Sequence, residues 1–421
     1  MKHTLKKLNI FFGMLALFAS IFIFAAFFTG LPKNTFINGV NVSRLNRSAA
    51  IKAVRESIVE KLKGERLQIY AGDNIYTYSY PEINFKDNLK NVVNGVKKSG
   101  EYHGEIKYYL NGINDVVSSI LAGVTAEKVE PYAIFNRSGE PFTYVDGKEG
   151  KTVNAQKLIT DINNSLNGGF SNVKVQILSK PFRGNLNEIK KNTVLLSQFS
   201  TKYDQSNKSR SHNINLACEK INGTILRPQS LFSFNGTVGE RTVKNGYLQA
   251  KIIEGGRFID GLGGGVCQVS TTLYNAALLS GLAVTEFHPH SLKVGYVAPS
   301  RDAMVSGNYF DLKFKNCKNQ PVFIRASAHN GTLTVKIYGK SDGATYKLSS
   351  KIIAEIAPPP PEEKGGNGGD FIVEEKCGIE SEGYLTVTKN GVSKTTLIRK
   401  DKYAAVRGVR GVAPNFNKFA L

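Results

Sequence analysis

Only four cysteines occur among the 421 residues, and Cys267 sits directly behind a glycine run in the stretch "GLGGGVCQVSTTLYN". Beyond it Val269, Leu273, Ala276 and Leu279 recur at helical spacing, and Gly281 stands where a helix is capped. The spacing therefore predicts a helix with Cys267 at its N-terminus. Unpaired N–H groups and the positive end of the helix dipole favour an anion there, which draws a thiol below its free pKa of about 8.5 toward the nucleophilic thiolate. Gly263, Gly264 and Gly265 can take backbone conformations closed to other residues and leave room for a carbonyl to approach main-chain donors, as an oxyanion hole requires. No Gly-Lys-Ser/Thr follows the run, so it is not a phosphate loop.

A thiol nucleophile needs a base. The chain has six histidines, and His288 and His290 follow shortly after the cysteine helix in "EFHPHSLKVGYV". Two residues apart on an extended segment, they face one side, which also permits a zinc site with Cys267 or Asp302 as further ligands. Asp302 in "SRDAMV" is placed to orient an imidazole as a third triad member, with Asp311 and Glu286 as competitors. Cys218 shares a helical face with Ile214 and Ile221 and reads as a small core hydrophobe.

The elements that must position these groups come late in the chain. "MKHTLKK" is followed by a run without formal charge as far as Lys33, long enough to span a bilayer, with no convincing cleavage site after it. Lys2, Lys6 and Lys7 before the run predict an uncleaved single-pass anchor, with the N-terminus in the cytoplasm and the bulk of the chain outside. The net charge of +21 then points to an anionic envelope, meaning lipid headgroups, anionic wall polymers and stem-peptide carboxylates, and argues against nucleic acid. The cysteines are widely spaced and their pairing is not deducible.

The expected class is α+β. "LQIYAGDNIYTYSY" with "INFKDNLKNVVNGVKKSG", and "YAIFNRSGEPFTYVDGKEG" with "KTVNAQKLITDINNSLNGG", read as two diverged hairpin-and-helix modules over 35–125 and 126–190, after the anchor at 1–34. A mixed α/β domain follows over 191–346. A Pro/Gly-rich linker is expected over 347–371, around "APPPPEEKGGNGGDF", and a small β-rich appendage over 372–421 turns at Asn390-Gly391.

At "RSHNINLACEKINGTIL", "FSFNGTVGERTVKNGYLQA", "GGGVCQVSTTLYNAALLSGL", "HSLKVGYV" and "RDAMVSGNYFDLKFKN" the chain resembles the VanW family, from about Thr193 to Ile337. The preceding modules look like the peptidoglycan-binding domain found before VanW domains and before some L,D-transpeptidases of the YkuD type. The resemblance implies a cell-wall function, and similarity to clostridial members implies an L,D-transpeptidase acting on peptidoglycan stems and glycan strands without cofactor or metal; a cysteine peptidase or amidase of the stems and a non-catalytic wall-binding or glycopeptide-resistance accessory protein are the alternatives. It assigns the nucleophile to Cys267, the base to His290 rather than His288, and the acid to Asp302. It adds Asn235, Arg241 and Gln268 to Gly264, Gly265 and His288 as candidates for the oxyanion and substrate site. "RPQS" replaces the family's usual Pro-Gly-Glu before "FSFN", which is expected to alter a turn and not the chemistry.

Overall fold

The computed structural model describes residues 30–254, 256–307, 309–365 and 371–412. Of the anchor expected over 1–34, residues 1–29 lie outside the described residues, and Leu31 near its end is buried in a core of the first unit. Among the described residues no helix is long and apolar enough to cross a membrane. The chain is α+β, with its strands in many small sheets. It divides into two compact units: the described residues up to Glu130 with Gly147–Arg183, and Pro131–Asp146 with the described residues from Gly184 onward.

In the first unit the helix Arg47–Gly64 is capped by Asn46, whose side chain accepts from the Ala49 amide at 2.8 Å. It buries Ala50, Val54 and Ile58, one per turn, against Leu89 and Val93 of the short helix Leu89–Gly95. A second core takes Leu67, Ile69 and Ala71 from the hairpin Leu67–Ala71/Asn74–Tyr78, Val117 and Ile120 from the helix Ile113–Val124, and Leu158, Ile162 and Leu166 from the helix Ala155–Asn167.

This second core corrects the expected pair of modules. Hairpin and helix do follow one another in both stretches, but one core draws on residues from both sides of the 125/126 boundary, and the strand Val173–Lys174 pairs in parallel with Leu67–Ala71. A short hairpin with one helix has too little apolar surface to close a core alone. The hairpin Tyr132–Phe135/Phe142–Val145 belongs to the second unit, where Phe135 and Phe142 pack on Phe323 at 5.0 and 5.1 Å.

The second unit is built on an antiparallel sheet in the order Val194–Lys202, Thr332–Gly339, Val322–His329, Thr224–Leu226. Alternate residues Val322, Ile324, Leu333, Val335 and Ile337 point inward and meet the helices Lys208–Ile221 and Val266–Leu279. Cys218 is buried in this core as expected of a hydrophobe, and burial pushes its thiol far up. A further sheet, Ala344–Ile356, Gly378–Lys389 and Val392–Tyr403, turns at Asn390 and Gly391, both with positive φ (51° and 78°). The strand Ala344–Ile356 pairs along its whole length, so residues 347–356 are sheet and not the linker expected there. Their polar-apolar alternation hid a long strand behind the proline-rich segment that follows.

Candidate active site

The helix Val266–Leu279 begins where expected, with Gly265 as N-cap and Gly281 in the left-handed region (φ 69°) just past its end. It is buried almost all round: Val266 and every residue from Gln268 to Leu278, the polar Ser270, Thr271, Thr272 and Asn275 included, are buried. Several of those polar side chains bind the neighbouring segment. Ser270 Oγ donates to the Ala303 carbonyl at 2.6 Å, the Ala303 amide donates to Thr271 Oγ1 at 2.9 Å, and Asn275 Nδ2 donates to the Arg301 carbonyl at 2.7 Å. The backbone on both sides of Asp302 is thereby fastened to the helix that carries Cys267.

The glycine turn is equally constrained. Gly263 (φ 79°) and Gly265 (φ 110°) lie in the region that favours glycine, and a Cβ on Gly264 would meet the Ala250 and Lys251 backbone at 2.7 Å. Asn213 holds the turn by donating to the carbonyls of Gly264 (3.1 Å) and Leu248 (2.9 Å). The Val266 and Gln268 amides donate back to Gly263 and Gly265. The Cys267 amide remains at the helix tip without a protein acceptor among the described residues.

Cys267 is partly buried, with Sγ 3.3 Å from the Val305 carbonyl. His290 is buried, and both its backbone amide (2.7 Å) and its Nδ1 (2.6 Å) reach Oδ2 of Asp302. With Nδ1 engaged by Asp302, the other ring nitrogen is the one left to serve the Cys267 thiol, whose charge acts on the imidazole. Burial alone would lower His290, but the hydrogen bonds and charges of Asp302 and Cys267 prevail and raise it to about 9. Burial would raise Cys267, and the hydrogen bond and charge of His290, aided by the charge of Arg241, hold it below the usual thiol range instead. Asp302 is likewise kept below the usual carboxylate range, against its burial, by His290, Arg399 and Tyr403. The arrangement favours a thiolate–imidazolium pair backed by a carboxylate.

A cavity of about 760 Å³ opens on these groups. Arg210, Arg241, Lys251, Lys293 and Lys402 line it together with Phe258, Tyr296 and Phe310, and no carboxylate is among the described lining residues. Arg241 Nη2 donates to Asn235 Oδ1 at 2.6 Å, and Asn235 Nδ2 in turn donates to the carbonyls of Gly307 and Phe310, each at 2.9 Å. Asn235 thus braces Arg241 from outside the cavity lining. Gln268 has its side chain satisfied by Arg210 Nη2 (3.0 Å), Thr201 Oγ1 (3.1 Å) and the Lys202 carbonyl (2.8 Å), which makes it a strut for the same wall.

The structure does not bring His288 to this cluster. Its ring stands against Phe310 with Nε2 3.1 Å from Glu286. Glu286 pairs with Lys313, and Asp311 accepts from Ser233 and the Asn235 amide, so both competitors to Asp302 are engaged elsewhere. Sequence reading missed Tyr296, which lines the cavity with Cys267 and which burial keeps a neutral phenol. It also missed Arg399 and Tyr403, which meet Asp302 from the C-terminal sheet. Tyr296 stood in the quoted "HSLKVGYV"; nothing local in the sequence marked the other two.

Residues 209–338 match the family model described as VanW like protein. Over 146 residues, 35% of this chain and 48% of the relative, the sequence is 44% identical to the uncharacterized protein YoaR of Bacillus subtilis. Over 145 residues, 33% of this chain and 52% of the relative, it is 25% identical to the vancomycin B-type resistance protein VanW of Enterococcus faecalis. The chain thus spans about half the length of the curated relatives it matches. No solved structure matches it.

Proposed function

We propose, for a chain that carries a VanW-family domain at residues 209–338, that it acts on peptidoglycan as a cysteine acyltransferase, an L,D-transpeptidase joining two stems at their third residues. The observation that carries this reading is the partly buried Cys267, with His290 and Asp302 buried behind it, beside a cavity lined by arginine and lysine and by no described carboxylate. A stem peptide, with its carboxylates, is the kind of polyanion such a wall attracts. The resistance role that the enterococcal relative is named for fits a cell-wall substrate.

In this reading the Cys267 thiolate attacks the carbonyl of residue 3 in a tetrapeptide stem. The Cys267 amide and the donors around Gly265 receive the oxyanion, a placement whose single donors are each worth about a hundredfold or more in rate. The C–N bond to terminal D-alanine breaks, and the leaving amine takes its proton from the His290 imidazolium. A thioester remains. The side-chain amine of another stem's third residue attacks it, gives its proton to His290 and restores the thiolate. Water as acceptor would turn the same cycle into a carboxypeptidase. Arg241, braced by Asn235, is the cavity cation whose charge acts on the thiol and the candidate for a stem carboxylate. Attachment to the membrane through residues 1–34 and contact of the first unit with glycan belong to the same proposal.

The test is to incubate the chain, wild type and Cys267→Ala, with purified disaccharide-tetrapeptide and resolve products by mass spectrometry. A dimer lacking one D-alanine, formed only by the wild type, is the expected result. Monomers shortened by D-alanine and no dimer would replace transpeptidation by hydrolysis. Equal products from both proteins would overturn the role of Cys267.

A further inference from the structure

We infer that the C-terminal sheet is part of the catalytic machinery, with Tyr403 and Arg399 as positioning residues that fix the Asp302 carboxylate behind His290. The inference rests on the reading of Cys267, His290 and Asp302 as the reacting chain and extends it to a segment that sequence marked only as an appendage.

Tyr403 Oη donates to Asp302 Oδ1 at 2.5 Å and accepts the Ser300 amide at 2.7 Å, so its hydroxyl has one orientation. Arg399 Nη1 donates to the Asp302 carbonyl at 2.6 Å, and Nη2 lies 3.6 Å from Oδ1. The rest of its fork grips Asp401 at 2.5 and 2.9 Å, and its plane stands over the rings of Phe287 (4.7 Å) and Tyr274 (5.7 Å). Asp302 is fully buried, Tyr403 is 1% exposed and Arg399 5%. Burying a guanidinium and two carboxylates is expensive unless the geometry is well satisfied. A strand that merely covered the core would need no such groups.

Oδ2 of Asp302 takes both hydrogen bonds from His290, and Oδ1 takes Tyr403, so the carboxylate cannot rotate without losing a partner. The same sheet also holds the intervening backbone. The Ala404 amide donates to the Ser291 carbonyl at 2.8 Å, Ser381 and Ser300 join their hydroxyls at 2.7 Å, and a side chain on Gly383 would strike the Ser300 carbonyl at 2.7 Å. The segment from His290 to Asp302 is therefore clamped between the cysteine helix on one side and the C-terminal sheet on the other. His290, Arg399 and Tyr403 face the Asp302 side chain, with Asp401 behind the guanidinium.

The experiment follows iodoacetamide alkylation of Cys267 in the full chain across pH, reading its own peptide by mass spectrometry apart from the exposed Cys317 and Cys377. Tyr403→Phe removes one hydroxyl from an otherwise unchanged ring. It is expected to slow alkylation at pH 6 by about threefold to tenfold, the size of one typical net hydrogen bond, and to leave the rate at pH 9.5 unaltered. Turnover should fall by a similar factor with KM within about twofold. Arg399→Lys should act in the same direction, since it keeps the charge and loses the fork. Tyr384→Phe, in the same sheet but bonded to Glu382, should match the wild type. A Tyr403→Phe profile that superimposes on the wild type overturns the inference while leaving Cys267 as nucleophile. A wild-type Cys267 that alkylates only with an ordinary thiol profile overturns the reading beneath it and the inference with it.

Discussion

At the scale of the residue, the proposal makes Cys267 and His290 a thiolate–imidazolium pair, and pH should expose that. His290 holds its proton to about 9 in the folded chain against 6.5 for a free imidazole, so its contribution to stability is complete below about pH 6.5 and is lost as pH rises through about 9. Activity should fall over the same alkaline range, because the leaving amine then lacks its acid. A pH–rate profile and melting temperatures across about pH 6–10 check both statements together. Asp302→Asn should keep the fold and cut turnover by on the order of 10²- to 10⁴-fold, since an amide cannot hold the imidazolium, and product assays measure it. Cys267 was legible in the sequence as a cysteine at a glycine-led helix start with two histidines soon after it, and the family resemblance rather than that local pattern separated His290 from His288. The choice of Asp302 over Glu286 and Asp311 was not local. It depends on partners such as Lys313, Ser233 and Tyr403, and the last lies 101 residues from Asp302 along the chain.

At the scale of the element, the glycine turn and the segment from Arg301 to Ala303 decide whether the reacting groups meet. A Cβ on Gly265 would stand 3.0 Å from Arg210 Cγ and from Ile214 Cγ1, in a backbone conformation that L side chains rarely adopt. Gly265→Ala should therefore cost about 1–3 kcal/mol of stability by denaturant melts, and activity should drop further as the Cys267 amide moves. The "RPQS" departure from the family pattern gives the opposite case. Gln229 is exposed and carries φ 62° at the tip of a turn closed by Ser230 to Arg227, so Gln229→Gly should stabilise by about 1 kcal/mol and leave turnover unchanged. The start and end of the cysteine helix were readable from glycine alone. Its burial was not, because Ser270, Thr271 and Asn275 look solvent-facing until the segment they hold is placed against them. The strand Ala344–Ile356 was missed for a related reason: its partner Gly378–Lys389 lies beyond the proline-rich stretch.

At the scale of the whole molecule, the net charge of +21 and the basic cavity predict a substrate interaction that weakens with salt. Lys293→Glu, at an exposed position on the cavity wall, should raise KM several-fold, up to about tenfold, with little change in kcat, and raising ionic strength should reduce the difference between the two proteins. The α+β class and the place of the Cys267 helix were evident from motif order. The division of the first half was not, because hairpin and helix signals repeat locally and carry no mark of a shared core. Ile69 and Ile162 are far apart in sequence and come together only in that core. The central claim is that Cys267 forms a thioester with a stem peptide. Intact-protein mass spectrometry after brief mixing with disaccharide-tetrapeptide and no amine acceptor tests it most directly. The account predicts an adduct equal to the substrate less D-alanine, mapped to Cys267 and absent from Cys267→Ala. An adduct on another residue, or turnover of substrate without any dependence on Cys267, would contradict it.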